Sequence, residues 1–326
     1  MGNQARVTDR VLITGGFGYL GGRIAVELGR DPRFALRLSS RDLRETPSWS
    51  PEAETVATDL SKPAMVSDAV RGVQAVVHLA AMNENQCATD PAEAVRVNTL
   101  GTRSVLQAAI EHGVERFIYI STARVYGTPL EGHITEKTLT RPDHPYASTH
   151  YAAEEFVLAA HDSGQISGTV ARVSNGFGAP TRGDVDRWTL LVNDLCMQAV
   201  RNRVLALQSS GLGVRDFVTL HDLGRAVRHF LDMAPTDHGD GLFNLGGDCT
   251  MTVAAMAQRV VSCCTDTLGY TPELRRPPPG AEEKSGDLRY DIGKLKATGF
   301  VIEGNIDNEI NRTLELCSAM EQGEPR

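Results

Sequence analysis

Val11-Leu12-Ile13-Thr14-Gly15-Gly16-Phe17-Gly18-Tyr19-Leu20-Gly21 is the stretch that decides the fold. Residues 11–13 form a short, β-branched-rich apolar run, the pattern of a strand buried on both faces. Glycines follow at 15, 18 and 21, and residues 23–30 then carry Ile24, Ala25 and Leu28 at helical spacing. A glycine pattern alone fits any loop; between a strand and a helix it describes a turn that takes a dinucleotide. Gly15 permits the tight turn, Gly18 lets a pyrophosphate approach the backbone, and Gly21 lets helix and strand pack closely. The helix N-terminus then offers unpaired N–H groups and the positive end of its dipole to the phosphates. Gly15, Phe17, Gly18, Tyr19, Leu20 and Gly21 are accordingly candidate cofactor contacts.

Working outward, Asp31-Pro32 ends the helix and residues 34–38 read as a second strand. A carboxylate at the end of that strand suits the ribose of NAD, whereas a small residue with a nearby arginine suits the extra phosphate of NADP. Ser39, Ser40 and Arg41 stand there, and no carboxylate comes before Asp42. The expectation is NADP, with NAD the alternative if Asp42 holds the ribose. A third strand over 54–58 ends at Asp59-Leu60, where a carboxylate can accept from the adenine amino group. A fourth over 75–78 is followed by Leu79-Ala80-Ala81, small enough for a cofactor to pass close to the backbone. His78 reads as a packed strand residue.

Asp90-Pro91 opens a long helix that ends at His112-Gly113, with proline suited to the first helical position. Asn98, polar in its middle, is either a buried structural amide or a site residue. The fifth strand, 116–120, delivers Ser121 and Thr122 at its carboxyl end, where open α/β sheets bind ligands. Asp143-His144-Pro145 precedes a helix carrying Tyr146 and His150 on one face, four residues apart. Residues 170–173 form a sixth strand. This alternation predicts an α/β fold, a doubly wound parallel sheet with right-handed crossovers. After Ala179-Pro180 the rhythm changes, and residues 179–326 read as a smaller C-terminal substrate-binding lobe beside a dinucleotide-binding domain over 1–178, with chain exchange between the lobes.

The chain of 326 residues carries a net charge of −8, so neither nucleic acid nor an anionic membrane is expected as main partner. No apolar segment is long enough to span a bilayer, and the polar start of the chain has no apolar signal region, so cytoplasmic residence is expected. Of the six cysteines none forms a C-x-x-C pair, which predicts reduced, mostly buried thiols and no metal site.

Thr122, Tyr146 and His150 together suggest hydride chemistry at a carbinol carbon. A proton must move on that carbon's oxygen, and a phenol can move it if a nearby cation lowers its pKa of about 10. With these residues in view, residues 10–300 resemble the extended short-chain dehydrogenase/reductase family, in its nucleotide-sugar epimerase, dehydratase and reductase branch. The likeness rests on residues 14–21, Asp59-Leu60, His78 to Ala81, Asn98-Thr99-Leu100-Gly101-Thr102, Val125-Tyr126-Gly127, Pro145-Tyr146-Ala147-Ser148, Ser174-Asn175-Gly176-Phe177-Gly178, Arg215-Asp216-Phe217 and Phe243-Asn244-Leu245-Gly246-Gly247. It implies a Rossmann fold, Tyr146 as acid/base, Thr122 as its hydroxyl partner, and Asn98, Tyr146 and His150 beside the cofactor. Asn175 and Arg215 would hold a substrate pyrophosphate, with Arg276 or Arg289 as a further cation, and Asn83 lies in the polar run near the pocket. In relatives the helices corresponding to 91–112 and 146–161 pair into a four-helix bundle, which implies a homodimer.

Two departures stand out. The family carries lysine four residues after the tyrosine; this chain has His150, largely neutral at physiological pH if unperturbed. The family's sugar 4,6-dehydratases carry Asp-Glu directly after the threonine; this chain has Ala123-Arg124, so dehydration is not expected. The resulting expectation is an NAD(P)-dependent nucleotide-sugar 4-epimerase or keto-reductase. The alternatives are a dinucleotide-binding sensor or scaffold that no longer catalyses, and a reductase of a non-nucleotide ketone.

Overall fold

The computed structural model describes residues 9–323; most of the polar N-terminal stretch on which the expected residence rests lies outside the described residues. The first half of the chain runs β1 Asp9–Thr14, α1 Tyr19–Leu28, β2 Phe34–Ser40, β3 Glu54–Ala57, α2 Pro63–Val70, β4 Ala75–His78, α3 Glu84–Thr89 and α4 Pro91–Ala94. A π-helical turn Val95–Leu100 leads into α5 Gly101–Glu111, β5 Arg116–Thr122, a 3-10 turn Ala123–Tyr126, β6 Gly132–Ile134, α6 Pro145–Asp162 and β7 Ser167–Val173. Then come β8 Asn175–Phe177, α7 Leu191–Asn202, β9 Val204–Ala206, β10 Val214–Thr219, α8 Leu220–Asp232 and β11 Leu242–Leu245. The chain closes with β12 Thr250–Thr252, α9 Val253–Leu268, β13 Glu273–Arg275, β14 Leu288–Tyr290, α10 Gly293–Ala297 and α11 Ile306–Gln322.

These elements form two compact units. The first takes the described residues up to Thr128, Thr138–Val173 and Gly224–Asn244; the second takes Pro129–Lys137, Ser174–Leu223 and the described residues from Leu245 onward. The sequence draws one boundary after 178. In the structure, residues 224–244 belong to the first unit, because β11 extends its sheet beside β7 and Val170 N–H donates to the Gly241 carbonyl at 2.7 Å.

The sheet of the first unit has seven strands in the order β11-β7-β5-β4-β1-β2-β3. β1 with β2 and β4, β2 with β3, β4 with β5, and β5 with β7 all pair in parallel. The order reverses between β1 and β4, and such a switch opens a crevice at the carboxyl ends of the strands. Register sets neighbours there: Thr14 stands opposite both Ser39 and His78, and His78 opposite Tyr119. The sheet packs through Leu12, Val76, Phe117 and Val170 against Val66, Val105, Leu106, Ala153 and Val157 of α2, α5 and α6. These apolar runs form strands because helices cover them, which leaves no solvent face to require alternation.

Two local outcomes differ from the pattern in the sequence. Helix α1 starts at Tyr19, before the first periodic apolar position, with Gly22 N–H donating to the Gly18 carbonyl at 2.9 Å. The long helix expected over 91–112 is interrupted by the π-helical turn, which contains Asn98.

In the second unit β8, β10 and β12 form a three-stranded sheet, and β9 pairs with β13 and β6 with β14. Its core is built from Val192 and Leu195 of α7, Met256 and Val260 of α9, and Ile310 and Leu314 of α11. Cys196, Cys263, Cys264 and Cys317 are buried there as thiols.

Candidate active site

The glycine turn is held by backbone geometry. Gly15 adopts φ +67°, and a Cβ there would press on the Ala80 nitrogen at 3.2 Å. A Cβ on Gly21 would lie 2.2 Å from the Gly15 carbonyl oxygen, which no packing tolerates. The Thr14 hydroxyl accepts from Leu79 N–H at 3.0 Å and Ala80 N–H at 3.2 Å, tying the end of β1 to the end of β4. Beyond the turn, α1 starts at exposed Gly18 with no side-chain cap and no acidic residue in its first turn. The positive end of the helix dipole therefore faces the turn with no carboxylate beside it.

Around this turn the candidate cofactor residues divide by role. Phe17 is buried edge-on to Trp49, their ring centroids 6.2 Å apart, with the Arg44 guanidinium 5.4 Å above its ring. Ser39 is buried and its carbonyl accepts from Gly16 N–H at 3.1 Å, so it shapes the turn. The Ser40 hydroxyl donates to the Asp42 carbonyl at 2.6 Å, while the side chains of Arg41 and Arg44 are exposed past β2. Asp59 accepts from the Ser61 hydroxyl and amide at 2.7 and 3.0 Å, which holds its carboxyl below the usual range. Leu60 packs under Gly101. Asn98 is fully buried: its Oδ1 accepts from Met82 N–H at 2.7 Å and its Nδ2 donates to the Thr149 hydroxyl at 3.1 Å. Both ends of this amide brace the segment after β4 against α6. The Asn83 Oδ1 caps α3, accepting from Gln86 N–H at 3.0 Å.

The proton-handling residues gather at the end of β5 and the start of α6. Thr122 is the last residue of β5; its hydroxyl oxygen accepts from Arg124 N–H at 3.2 Å and keeps its own hydrogen to give. Pro145 occupies the first position of α6 and the His144 Nδ1 accepts from Tyr146 N–H at 3.1 Å, so the helix start that carries Tyr146 is capped. Tyr146 is half-buried and its ring lies 4.4 Å, centroid to centroid, from that of His150. His150 is only 4% exposed. Its Nδ1 is 2.7 Å from the Tyr119 hydroxyl, while its Nε2 is buried without a hydrogen-bond partner. Burial lowers its pKa to about 4, so the ring is uncharged at neutral pH.

Behind these residues lies a buried ion pair. Arg172 of β7 meets Glu154 of α6 at 2.6 Å, and Glu154 also accepts from the Ser121 hydroxyl. The Arg172 guanidinium covers the Tyr126 ring at 4.8 Å, and the Tyr126 hydroxyl donates to Asn244 Oδ1 at 2.7 Å. Arg124, in the residue pair that departs from the dehydratase pattern, forms an ion pair with Glu84 at 3.0 Å.

In the second unit, Asn175 Nδ2 donates to the Asp216 carbonyl at 2.9 Å and Arg215 lies exposed on β10. Arg276 is exposed and donates to the Ser210 carbonyl at 2.5 Å; Arg289 pairs with Asp291 at 3.1 Å. The sequence singles out none of Thr14, Thr102, Tyr119 or Thr149 as a site residue. Tyr119 in particular sits in an unbroken apolar strand, where an aromatic ring reads as core. Among the described residues no His, Cys, Asp or Glu cluster suits a metal ion.

Two features fit a dinucleotide: a cradle whose width depends on missing side chains, and a buried imidazole nitrogen that lacks only a ligand atom to bond. Residues 11–246 match the NAD dependent epimerase/dehydratase family. A dTDP-D-glucose 4,6-dehydratase of Mus musculus is 26% identical over 96% of this chain and 90% of its own length. A dTDP-glucose 4,6-dehydratase of Mycobacterium tuberculosis is 31% identical over 68% of this chain and 69% of its own. Among solved structures, the UDP-glucose 4-epimerase of Thermus thermophilus in complex with NAD superposes with a TM-score of 0.76 at 23% identity, covering 94% of this chain and 98% of that one. The chain belongs to the NAD-dependent epimerase/dehydratase family.

Proposed function

We propose that this enzyme moves a hydride between a nicotinamide dinucleotide and a carbon of a nucleotide-linked sugar, as a 4-epimerase or a keto-reductase, with Tyr146 as acid/base. The observation that carries this reading is the half-buried Tyr146 ring packed against the His150 imidazole, one helical turn away, whose Nε2 is buried without a partner. When bound, the dinucleotide supplies the hydride donor or acceptor. The N-terminal end of α1 would hold its pyrophosphate, and His150 Nε2 would meet a hydroxyl of its nicotinamide ribose. Tyr146 moves the proton on the sugar oxygen, and the Thr122 hydroxyl holds that same oxygen. Asn175, Arg215 and Arg276 are the proposed contacts to the substrate's pyrophosphate. Arg41 beside Ser39 and Ser40 supports NADP, while the Thermus thermophilus neighbour is a complex with NAD.

Because His150 is uncharged, it gives Tyr146 no fixed cation at the position where the resemblance implies a lysine. A protonated phenol suits donation to a ketone oxygen during reduction. Purified protein mixed with UDP- and dTDP-linked hexoses, their 4-keto forms and reduced or oxidised dinucleotide tests this. Reductase action consumes one reduced dinucleotide per sugar; epimerase action gives product without net change in the cofactor. Tight dinucleotide binding without turnover of any of them would instead favour the sensor reading, and turnover of a ketone lacking a nucleotide the third.

A second reading, 4,6-dehydration, is favoured by the names of the curated relatives, which do not support excluding it. Against it stands Ala123-Arg124, where Arg124 is engaged with Glu84. Release of a 4-keto-6-deoxy sugar in the same assay would decide for it. A homodimer is also proposed: Val95, Leu100 and Phe156 are exposed apolar side chains on the turn after α4 and on α6. A dimer mass by light scattering is the expected result.

A further inference from the structure

Five side chains from five elements form two buried hydrogen-bonded groups with the His78 and Tyr119 rings stacked between them: Thr14 of β1, His78 of β4 and Thr102 of α5 in one, Tyr119 of β5 and His150 of α6 in the other. The hydrogens in each can be assigned by counting donors. The Thr14 oxygen accepts from the two backbone amides of Leu79 and Ala80, so its one hydrogen goes to His78 Nδ1 at 2.7 Å. The proton of neutral His78 therefore sits on Nε2, which donates to the Thr102 oxygen at 3.0 Å. The Thr102 hydrogen goes to the Asn98 carbonyl at 2.5 Å. Thr102 has no hydrogen left to give Tyr119. The Tyr119 phenol is fully enclosed and remains protonated, and its one hydrogen points along the 2.7 Å contact to His150 Nδ1.

We infer that Tyr119 is a positioning residue: by donating to Nδ1 it holds His150 as the Nε2–H tautomer, so that the residue replacing the family's lysine presents the dinucleotide with one neutral N–H donor. This rests on the function proposed above and assigns a task to a residue that reads as core. The buried, unpartnered Nε2 is the second observation in its favour, since a donor enclosed without an acceptor is costly and is matched by a ligand oxygen. The phenol has His150 Nδ1 as its one hydrogen-bond partner, so the opposite tautomer would leave both the phenol hydrogen and the imidazole Nε2 unmatched.

The test has three parts. Nitrogen NMR of the unaltered protein with labelled imidazoles is expected to show His150 protonated at Nε2 and bare at Nδ1; a proton on Nδ1 overturns the inference. This part needs no variant to fold. Calorimetry of NADP and NAD binding is then compared for the unaltered protein and Tyr119→Phe. Loss of the phenol hydrogen is expected to weaken the tighter dinucleotide about three- to tenfold. The same substitution in a His150→Lys background is expected to leave binding unchanged, because lysine has no tautomer to set. Equal losses in both backgrounds would show that Tyr119 acts only as packing and overturn the inference. If the unaltered protein binds neither dinucleotide while the NMR result holds, it is the proposed function that fails, and with it the ligand assigned to Nε2–H.

Discussion

The glycine turn after β1 and the side-chain cluster at the ends of β5 and α6 lie in the same unit but are specified differently. The turn is a backbone device: at Gly15 and Gly21 a single extra carbon collides with neighbouring main-chain atoms. The cluster is a side-chain device: Thr122 accepts from Arg124 N–H, Tyr146 packs on His150 one helical turn on, and His150 reaches Tyr119 of β5. The comparison teaches that binding and chemistry are separable here. A change in the turn should remove the dinucleotide, whereas a change at Tyr146 should leave it bound and stop the proton.

The sharpest way to break that distinction is Tyr146→Phe. Turnover is expected to fall about 10²- to 10⁴-fold, the usual share of general acid–base catalysis, with dinucleotide affinity nearly unchanged. Steady-state kinetics beside calorimetry check it; a parallel loss of affinity would mean that the phenol belongs to binding. Next in size is Arg172→Met, which strands Glu154 as a buried charge and should cost about 3–5 kcal/mol of stability. Denaturant melts read this, and the double variant Arg172→Met/Glu154→Gln should recover part of it. Gly21→Ala should cost about 1–3 kcal/mol through overpacking and abolish dinucleotide binding, since the turn must open to admit the Cβ.

Acidity probes the buried imidazoles, His150 among them. Burial lowers the His150 pKa to about 4 and, with a smaller contribution from the neighbouring His150, lowers that of His78 to about 3. Between pH 6.5 and these values the unfolded chain binds protons that the folded one refuses, so stability falls as pH drops through that window. Melts at pH 7 and pH 5 should differ in that direction, and the difference should shrink in His150→Gln. The groups facing His150 are Tyr119 and His78 from the sheet, with Tyr146 on its own helix. Introducing Lys at 150 should move the midpoint of the rate for sugar oxidation to lower pH, because a cation beside Tyr146 favours its phenolate. The smallest expected effect is Arg41→Ala, which should lower preference for NADP over NAD by roughly fivefold, as for an exposed ionic contact of about 1 kcal/mol.

The turn was legible in the sequence because its requirements are local. Strand, glycines and helix lie within twenty residues, and each glycine answers to a neighbour in that span or to the adjoining strand. Thr122, Tyr146 and His150 were legible as residue types at strand and helix ends. The environment of His150 was not. Its charge state follows from burial beneath β5, and its tautomer from Tyr119, thirty-one residues away in the chain. Asn98 was left open between two roles because its bonds run to Met82 and Thr149, which only the packing of α6 brings together. Exchange between the lobes was expected, but not that residues 224–244 make it: β11 is short, and only its pairing with β7 shows where it belongs.

If a hydride crosses to a nucleotide-sugar carbon while Tyr146 moves the proton, the crossing can be read by mass spectrometry of the hexose formed when the enzyme, loaded with reduced dinucleotide carrying deuterium at nicotinamide C4, meets UDP- and dTDP-linked 4-ketohexoses. One deuterium at sugar C4 is expected with the unaltered protein, and at least about 10²-fold slower labelling with Tyr146→Phe. No label from any of these sugars, or equal labelling by the variant, would contradict it.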